Sequence, residues 1–299
     1  MSENRAASIR ARLLKYSRET MQDFNQVFTR YAIERFLYRI GVSPYADSFM
    51  LKGALLFDLW FDIPHRATRD ADLLGFGSAE LSSIESIFQE LCRIEYPDGM
   101  IFRPDSVKVD EIRKEARYDG VRVVLLGFLD GARCLVQVDI GFGDAVTPEA
   151  EDVQYPVILK DLAQPTMRAY PRYTVVAEKF DAVYSLGMAN SRMKDYFDLY
   201  TLARYMDFDG ATLGRAIKAT FERRQTVVSN SAPIGLMDTF AKDSQKQTQW
   251  QAFLRKNGIE SVSLGEVVAV LAAFLLPVAD AVFQGESFSR EWKAGGPWA

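Results

Sequence analysis

Residues 69–76 read Arg-Asp-Ala-Asp-Leu-Leu-Gly-Phe, a short apolar run that ends at a glycine and is typical of a β-strand. Side chains of a strand alternate between two faces, so Asp70 and Asp72 project from one face while Ala71 and Leu73 project from the other. Two neighbouring carboxylates repel each other. A bound divalent cation would explain such a pair, because Mg²⁺ favours one or two carboxylates together with phosphate oxygens. Solvated charges on a strand edge are the alternative.

A glycine turn precedes this strand. Residues 49–51 form a short apolar run, Lys52 and Gly53 follow it, and residues 54–61 have the pattern of a helix. A glycine between a strand and a helix allows backbone N–H groups to approach a phosphate at the helix N-terminus. Lys52 adds a positive charge at the same place. The turn therefore predicts an anion-binding position shortly before the paired carboxylates.

A β-hairpin is predicted further along the chain. Residues 121–129 are rich in β-branched and apolar side chains, Asp130-Gly131 is a two-residue turn, and residues 134–140 return. In the returning strand the apolar side chains at alternate positions share one face, so Asp139 and Gln137 project from the other. Asp139 is therefore a third candidate metal ligand, with a surface aspartate on an exposed sheet face as the alternative.

Helical patterns dominate both ends of the chain. Apolar residues at three- and four-residue spacing predict one helix over residues 8–40, and the pattern from Thr174 onward is helical almost to the end. Four prolines between these parts mark a boundary region: Pro148, Pro156, Pro165 and Pro171. We therefore predict an α/β (α+β) fold in which an α/β domain over residues 1–160 is followed by a mainly helical domain over residues 161–299.

The helical half carries a second group of polar candidates. Lys179 lies in a segment whose neighbours are apolar, and a snorkelling surface lysine is its alternative interpretation. Asp195 and Asp198 are one helical turn apart, and Arg192 precedes Asp195 by the same spacing. A salt-bridged helix face explains these three residues equally well.

Composition sets the limits for other functions. The chain has 299 residues, of which 48% are hydrophobic and 25% charged, and its net charge is -4, so it resembles an ordinary globular protein without overall affinity for nucleic acid. His65, the single histidine, excludes a multi-histidine zinc site and fits a solvated turn. Cys92 and Cys134 have apolar neighbours and are expected to be buried thiols in a reducing compartment.

Membrane association is not expected. Residues 1–17 are polar and basic, unlike a signal peptide. The longest apolar run, residues 267–279, spans 13 residues, whereas a membrane-spanning helix needs roughly 20. We therefore expect a buried helix at residues 267–279 and a cytoplasmic protein.

The joined pattern of glycine turn, paired aspartates and later aspartate resembles a known family. Residues 34–77, with Leu-Lys-Gly-Ala at 51–54 and Arg-Ala-Thr-Arg-Asp at 66–70, closely resemble the AbiEii/AbiGii-type nucleotidyltransferase toxins, a group that includes the MenT toxins. This group belongs to the superfamily with the polymerase-β-like nucleotidyltransferase fold, which implies a mixed sheet in the first domain, and the similarity extends over about residues 10–230. Many members of the superfamily have Gly-Ser or Gly-Gly where this chain has Gly53-Ala54, so a phosphate contact there has to come from backbone N–H.

The resemblance implies a metal-dependent transfer of a nucleoside monophosphate from an NTP to an acceptor hydroxyl. It implies two Mg²⁺ ions, with Mn²⁺ as an alternative, held by Asp70, Asp72 and Asp139. Asp195 and Asp198 join these three residues as implied catalytic residues; the resemblance makes one aspartate of this segment essential, and the sequence does not decide which of the two it is. The implied nucleotide-binding residues are Lys52, Gly53, Ala54, Arg69, Lys179 and Arg192.

The resemblance also implies the partners. The expected acceptor is the 3′ end of tRNA, which makes the chain a growth-arresting toxin paired with a cognate antitoxin, and the expected active site is a cleft between the two domains. Transfer to a small molecule or a protein side chain is an alternative, and so is a catalytically silent domain used for binding. Basic residues that could contact RNA are diffuse, and a solvated helix face explains them equally well: Arg215, Lys218, Arg223, Arg224, Arg168 and Arg172.

Overall fold

The structure is a computed structural model that describes residues 3–61, 68–114, 118–229 and 231–299. His65, which the sequence assigns to a turn, lies outside the described residues. The chain forms two compact units, and the second unit includes a short segment from the middle of the chain. The first unit comprises Met1–Gly143 and Glu151–Tyr170, and the second comprises Asp144–Ala150 and Pro171–Ala299.

The first unit is an α/β unit built around one mixed sheet. Its helices are α1 (Glu3–Glu19), α2 (Phe24–Gly41), α3 (Phe57–Trp60) and α4 (Leu81–Arg93). Its strands are β1 (Phe49–Lys52), β2 (Asp70–Gly75), β3 (Ile101–Phe102), β4 (Lys108–Lys114), β5 (Tyr118–Leu129), β6 (Ala132–Phe142), β7 (Glu151–Gln154) and β8 (Thr166–Ala169). Among the described residues, these eight strands lie in the order β3-β5-β6-β2-β1-β8-β7, and β4 pairs with the same edge of β5 as β3.

The pairing directions make the sheet mixed. Strand β2 runs parallel to β6 and antiparallel to β1, whereas β5 and β6 form the predicted antiparallel hairpin. Asp130 and Gly131 in its turn both have positive φ, of 48° and 75°, as a two-residue turn of the I′ type requires. The hairpin and the strands near residues 49–51 and 69–76 are confirmed.

One face of the sheet is the core of the first unit. On β5 the odd-numbered residues from 121 to 129 are buried and the even-numbered ones from 122 to 128 are half-buried. Helix α2 packs on this sheet, and its Arg39 donates hydrogen bonds to both carboxylate oxygens of Asp98, at 2.7 and 3.1 Å, with neither side chain accessible to solvent. A buried charge is tolerated when it is paired and hydrogen-bonded in this way.

The prediction of a single helix over residues 8–40 is wrong. Helix α1 ends at Glu19, Met21 has a positive φ of 53°, and α2 starts after Asp23. The Asp23 side chain accepts a hydrogen bond from the N–H of Gln26, so it caps a new helix. Apolar periodicity continues across the break, which is why the sequence pattern did not show it.

The second unit is mainly helical. Its helices are α5 (Arg172–Leu186), α6 (Met193–Tyr205), α7 (Gly210–Arg224), α8 (Asp238–Lys242), α9 (Ser244–Asn257) and α10 (Leu264–Phe283). Two short strands, β9 (Phe208–Asp209) and β10 (Glu291–Trp292), pair antiparallel, which the helical pattern of the sequence did not predict. A mixed α/β sheet followed by a mainly helical region confirms the predicted fold class. The proposed division at residue 160 and the cleft between domains stay predictions.

Helix α10 contains the longest apolar run of the chain. It is long and apolar enough to cross a membrane by length and composition alone. Residues at three- and four-residue spacing along it, including Val267, Leu271, Leu275 and Val278, are buried against other helices of the second unit. The run at residues 267–279 is therefore a helix with a buried face, as predicted.

Candidate functional site

A row of four charged residues crosses four neighbouring strands of the first unit. Lys52 on β1 pairs with Asp72 on β2, Asp72 pairs with Asp139 on β6, and Asp139 pairs with Arg122 on β5. Residues that are directly opposite in a sheet project from the same face, with Cβ atoms about 4.5–5.5 Å apart. The register therefore places two carboxylates side by side and a cation on each outer side.

Asp70 lies two residues before Asp72 and shares its face. The hydroxyl of Thr68 donates a hydrogen bond to Oδ1 of Asp70 at 3.1 Å, and Asp70 is half-buried. Ala71 and Leu73 are 1% and 0% exposed on the opposite face. The alternation predicted from the sequence is thus confirmed, and Asp70 adds a third carboxylate to the face that carries the charged row.

Arg122 forms a bidentate salt bridge with Asp139. Its Nε donates to Oδ1 at 2.8 Å and its Nη2 donates to Oδ2 at 2.7 Å, while the amide of Gln137 donates to Oδ1 at 3.2 Å. The hydrogen bond with Asp139, and then the charges of Asp139, Asp70 and Asp72, raise the pKa of Arg122. A bidentate guanidinium contact of this kind fixes the orientation of the carboxylate and stabilises its charged form.

Arg122 was missed in the sequence analysis, although the sequence contains the signal for it. A two-residue turn at Asp130-Gly131 fixes the hairpin register, so residues at equal distances on both sides of the turn face each other. Counting outward from the turn brings Arg122 opposite Asp139. Arg122 is not part of the pattern of glycine turn, paired aspartates and later aspartate from which the candidate ligands were identified.

Gly53 is required by the carboxylate of Asp72. Its φ is +73°, and a Cβ placed on it would lie 2.1 Å from Oδ2 of Asp72 and 2.7 Å from the Asp72 Cβ and Cγ. No larger residue fits without displacing that carboxylate. The sequence predicted Gly53 as a place where phosphate approaches the backbone, and the structure adds that Gly53 leaves room for a candidate metal ligand.

The other candidate nucleotide contacts of this unit lie around Gly53 and Asp70. The ammonium of Lys52 is 5.8 Å from the ring centroid of Tyr170. Ala54 follows Gly53 in a single 3₁₀ turn (Gly53–Leu56) that leads into α3. Arg69 is exposed immediately before β2.

The donor set suits a cation that arrives with a phosphate. Across residues 3–61, 68–114, 118–229 and 231–299, no three His, Cys, Asp or Glu side chains are arranged to hold a metal ion by themselves. Both oxygens of Asp139 accept hydrogen bonds from Arg122. Mg²⁺ usually binds through one or two carboxylates and completes its shell with water and substrate phosphates. Asp70 and Asp72 provide such a pair.

The second unit contains a compact charged cluster. The ammonium of Lys179 on α5 lies 2.7 Å from Oδ1 of Asp195 and 2.8 Å from Oδ2 of Asp198, both on α6. The side chains are 13%, 8% and 0% exposed, in that order. Three residues that were selected separately from the sequence are thus in direct contact. One ammonium opposes two carboxylates in a nearly dry place, so loss of the lysine would leave two buried negative charges facing each other.

Arg192 does not lie on the face of α6. The helix begins at Met193, and Arg192 is its half-buried N-terminal flanking residue, whose N–H donates to Oδ1 of Asn190 at 2.8 Å. Asp195 lies in the first turn of α6, where the helix dipole favours a negative charge. Asp195 and Asp198 lie one turn apart within α6, whereas Arg192 precedes the helix, so the alternative of a single salt-bridged helix face does not extend to Arg192.

The interpretation of Arg224 as one of several exposed basic residues is wrong. Its guanidinium contacts Asp144, Glu178 and Asp181 at 3.5, 3.5 and 3.1 Å, and its side chain is 24% exposed. It holds together parts of the second unit and is not part of a solvated strip. The remaining basic residues of α7 are exposed: Arg215, Lys218 and Arg223.

The two other basic candidates lie against aromatic rings within their own units. The Arg168 guanidinium is 5.2 Å from the ring of Phe76, and that of Arg172 is 5.2 Å from the ring of Tyr173. Both residues are half-buried. They therefore contribute to packing through cation–π contacts.

The two cysteines are buried and form no disulfide, as expected. Burial raises the pKa of both thiols to about 12. A thiol that stays protonated at neutral pH is a poor nucleophile and a poor metal ligand. Cys92 and Cys134 are therefore packing residues, and the charged residues described above are the candidates for chemistry.

Residues 35–270 match the family model described as nucleotidyl transferase AbiEii toxin of a type IV toxin–antitoxin system. Among solved structures, JHP933 from Helicobacter pylori is 14% identical, with 84% of this chain and 90% of that chain covered and a TM-score of 0.45. A second H. pylori structure, described as a candidate nucleotidyltransferase, is 14% identical, with 85% and 95% covered and a TM-score of 0.46. No curated protein sequence gives a significant match.

Replacing Gly53 by alanine tests the contact with Asp72, and Gly131→Ala is a matched control. Gly131 has a φ of +75° and no atom within 4 Å of an added Cβ, so both substitutions impose the same backbone strain of about 1–2 kcal/mol. Gly53→Ala additionally forces the Asp72 carboxylate to move, which costs about 1–3 kcal/mol more. Urea unfolding measures both losses. Equal losses would show that Asp72 does not depend on the space beside Gly53.

Proposed function

Since the chain belongs to the AbiEii family of nucleotidyl transferase toxins, we propose that Asp70 and Asp72 support transfer of a nucleoside monophosphate from an NTP to an acceptor hydroxyl, with release of pyrophosphate. The family makes the chain a nucleotidyltransferase toxin of a toxin–antitoxin system, with an NTP substrate and an antitoxin partner. One observation supports the proposed site most directly. The sheet register aligns Asp72 with Asp139 and leaves Asp70 on the same face, so three carboxylates project from one face of two neighbouring strands.

The proposed cofactor is a pair of Mg²⁺ ions, with Mn²⁺ as a substitute, held by Asp70, Asp72 and Asp139. When bound, such ions neutralise charge on the triphosphate and lower the pKa of an acceptor hydroxyl. The protein's own contribution is to hold the carboxylates on a rigid sheet before substrate binds. Arg122 fixes the direction of Asp139. Gly53, which has no Cβ, leaves room for the Asp72 carboxylate.

Cations of the first unit are proposed to bind the triphosphate. Lys52 is opposite Asp72 in the register, and Arg69 is exposed one residue before Asp70. Either side chain can donate to a phosphate oxygen, and developing charge on pyrophosphate is stabilised by such donors. Ala54 has no hydroxyl, so its contribution is restricted to the backbone N–H.

The proposed acceptor is the 3′ end of tRNA in the cytoplasm. The family assignment supports a toxin, and a net charge of -4 means that RNA has to be attracted by a local surface. Transfer to a small molecule or to a protein side chain is the competing acceptor. A catalytically silent domain is disfavoured, because a binding protein has no need of three carboxylates that repel each other.

Asp70→Asn and Asp72→Asn test the proposed site. Each variant keeps the shape of the side chain and removes a negative charge, so we expect transfer to fall by roughly 10²–10³-fold, the scale at which loss of a transition-state contact acts. Asp152→Asn, an exposed aspartate of β7 in the same sheet, should be unaffected. The measurement is incorporation of each labelled NTP, with Mg²⁺, into total RNA. Near-normal Mg²⁺-dependent transfer by either site variant would show that the site is elsewhere.

Lys179 is proposed as a triphosphate contact, and a charge-balanced pair of variants separates that role from a structural one. Lys179→Met alone leaves Asp195 and Asp198 as two buried charges and should unfold at a lower temperature. Lys179→Met combined with Asp195→Asn restores the original net charge of the cluster. We expect the double variant to recover stability while NTP affinity, measured by titration calorimetry, stays at least ~10-fold weaker. Recovery of both properties would show that Lys179 only holds the two aspartates in place.

A further inference from the structure

The carboxylate face of the sheet continues along the β5–β6 hairpin beyond the residues that the proposed chemistry uses. On β5 the even-numbered residues from 122 to 128, and on β6 the odd-numbered residues from 133 to 139, project from the same side as the carboxylates. The register pairs Arg122 with Asp139, Val124 with Gln137, Leu126 with Leu135 and Phe128 with Arg133. We call the part of this face beyond the charged row, from Val124 to Phe128 with its neighbours on β3, β4 and β6, the outer face.

The outer face exposes large apolar side chains. Leu135 is 53% exposed, and Ile101 of β3, which is directly opposite Phe128, is 51% exposed. Val124, Leu126 and Phe128 between them are half-buried. The opposite side of the same strands is packed into the core of the first unit, so these residues form an apolar strip on the exposed side of the hairpin. Such a strip on a globular protein marks a binding surface.

Exposed cations border this strip on both sides. The guanidinium of Arg103 is 5.8 Å from the ring centroid of Phe128, and Arg133 is opposite Phe128 on β6. Lys108 of β4 is opposite Val124. The exposed Asp110 is opposite Arg122, at the end of the face near the carboxylates. A chain with a net charge of -4 therefore presents a locally basic and apolar surface on the face that holds its catalytic candidates.

We propose that the outer face binds the single-stranded 3′ end of the RNA acceptor. Apolar and aromatic side chains provide contacts to bases, and arginine and lysine on the borders provide contacts to phosphates, which is how sequence-tolerant surfaces bind single strands. Phe128 is six residues from Arg122 along β5, or roughly 20 Å at the rise of a strand. A short single-stranded tail can span that distance and present its terminal hydroxyl to the carboxylates.

This inference rests on the proposed function for the identity of the acceptor. It differs from the expectation from sequence, in which RNA contacts came from six diffuse basic residues, four of them on α7. On α7, Lys218 is 3.9 Å from Glu222, and Arg224 is held by three carboxylates, so two of the four basic residues already have acidic partners. The outer face combines both kinds of contact that a single strand requires.

Two matched charge reversals decide between the surfaces. Arg103→Glu with Arg133→Glu alters the outer face, and Arg215→Glu with Arg223→Glu alters α7 by the same change in net charge. Binding of a fluorescein-labelled RNA with a single-stranded 3′ tail is measured by anisotropy between 50 and 300 mM salt. We expect the outer-face pair to weaken binding at least ~10-fold and to flatten the log-log salt slope by about 1.4, which corresponds to two phosphate contacts. The α7 pair should stay within about twofold of wild type.

A third variant tests the apolar part of the surface. Ile101→Ser with Leu135→Ser removes two exposed side chains, so it should weaken RNA binding without changing the salt slope, because no charge is lost. Far-ultraviolet circular dichroism and the melting temperature check that all variants remain folded. Equal weakening by both charge reversals, or unchanged RNA affinity in the outer-face variants, would overturn the proposal. The second result would leave the strip to a protein partner.

Binding is measured without nucleotide transfer, so this proposal can fail separately from the proposed function. A chain that binds RNA through the outer face but transfers no nucleotide would refute the activity and not the surface. Each variant should bind NTP like the wild type. Lost NTP affinity in the outer-face pair would show that the substitutions disturb the carboxylates, and would count against a separate RNA surface.

Discussion

The register of β2 between β1 and β6 is the constraint on which the candidate site depends. A slip of one residue would turn Asp70 and Asp72 into the core and bring Ala71 and Leu73 to the surface. Complete burial of Leu73 at the sheet centre therefore fixes the direction of both carboxylates. The hydrophobic core thus determines where the chemistry lies, and the aspartates themselves contribute little to the choice of register.

Clustered carboxylates need compensation within the protein, and the two units achieve it in similar ways. In the sheet, Lys52 and Arg122 are placed on the outer sides of Asp72 and Asp139. In the helical unit, one lysine contacts two aspartates. Like charges at short range destabilise a fold unless cations or hydrogen bonds offset them. The proposed metal ions would therefore join sites whose repulsion is already reduced by neighbouring side chains.

Features that depend on local sequence were predictable, and features that depend on long-range contacts were not. The facing of Asp70 and Asp72 follows from strand periodicity, and the hairpin follows from its turn. Arg122 could have been found by counting from that turn, because the hairpin register is local. The alignment of Asp72 with Asp139 could not, since β2 and β6 are parallel and the connection between them leaves the register open. Arg224 was misjudged because its burial comes from carboxylates distant in sequence.

The central claim is that the carboxylate face of the sheet binds a metal–nucleotide complex. Anomalous diffraction from crystals of the full chain, grown with Mn²⁺ and a non-hydrolysable NTP analogue, tests this claim most directly. We predict anomalous density coordinated by both Asp70 and Asp72 and by oxygens of the triphosphate. Mn²⁺ and nucleotide bound away from β2, or nucleotide bound without a carboxylate-coordinated metal, would contradict the claim.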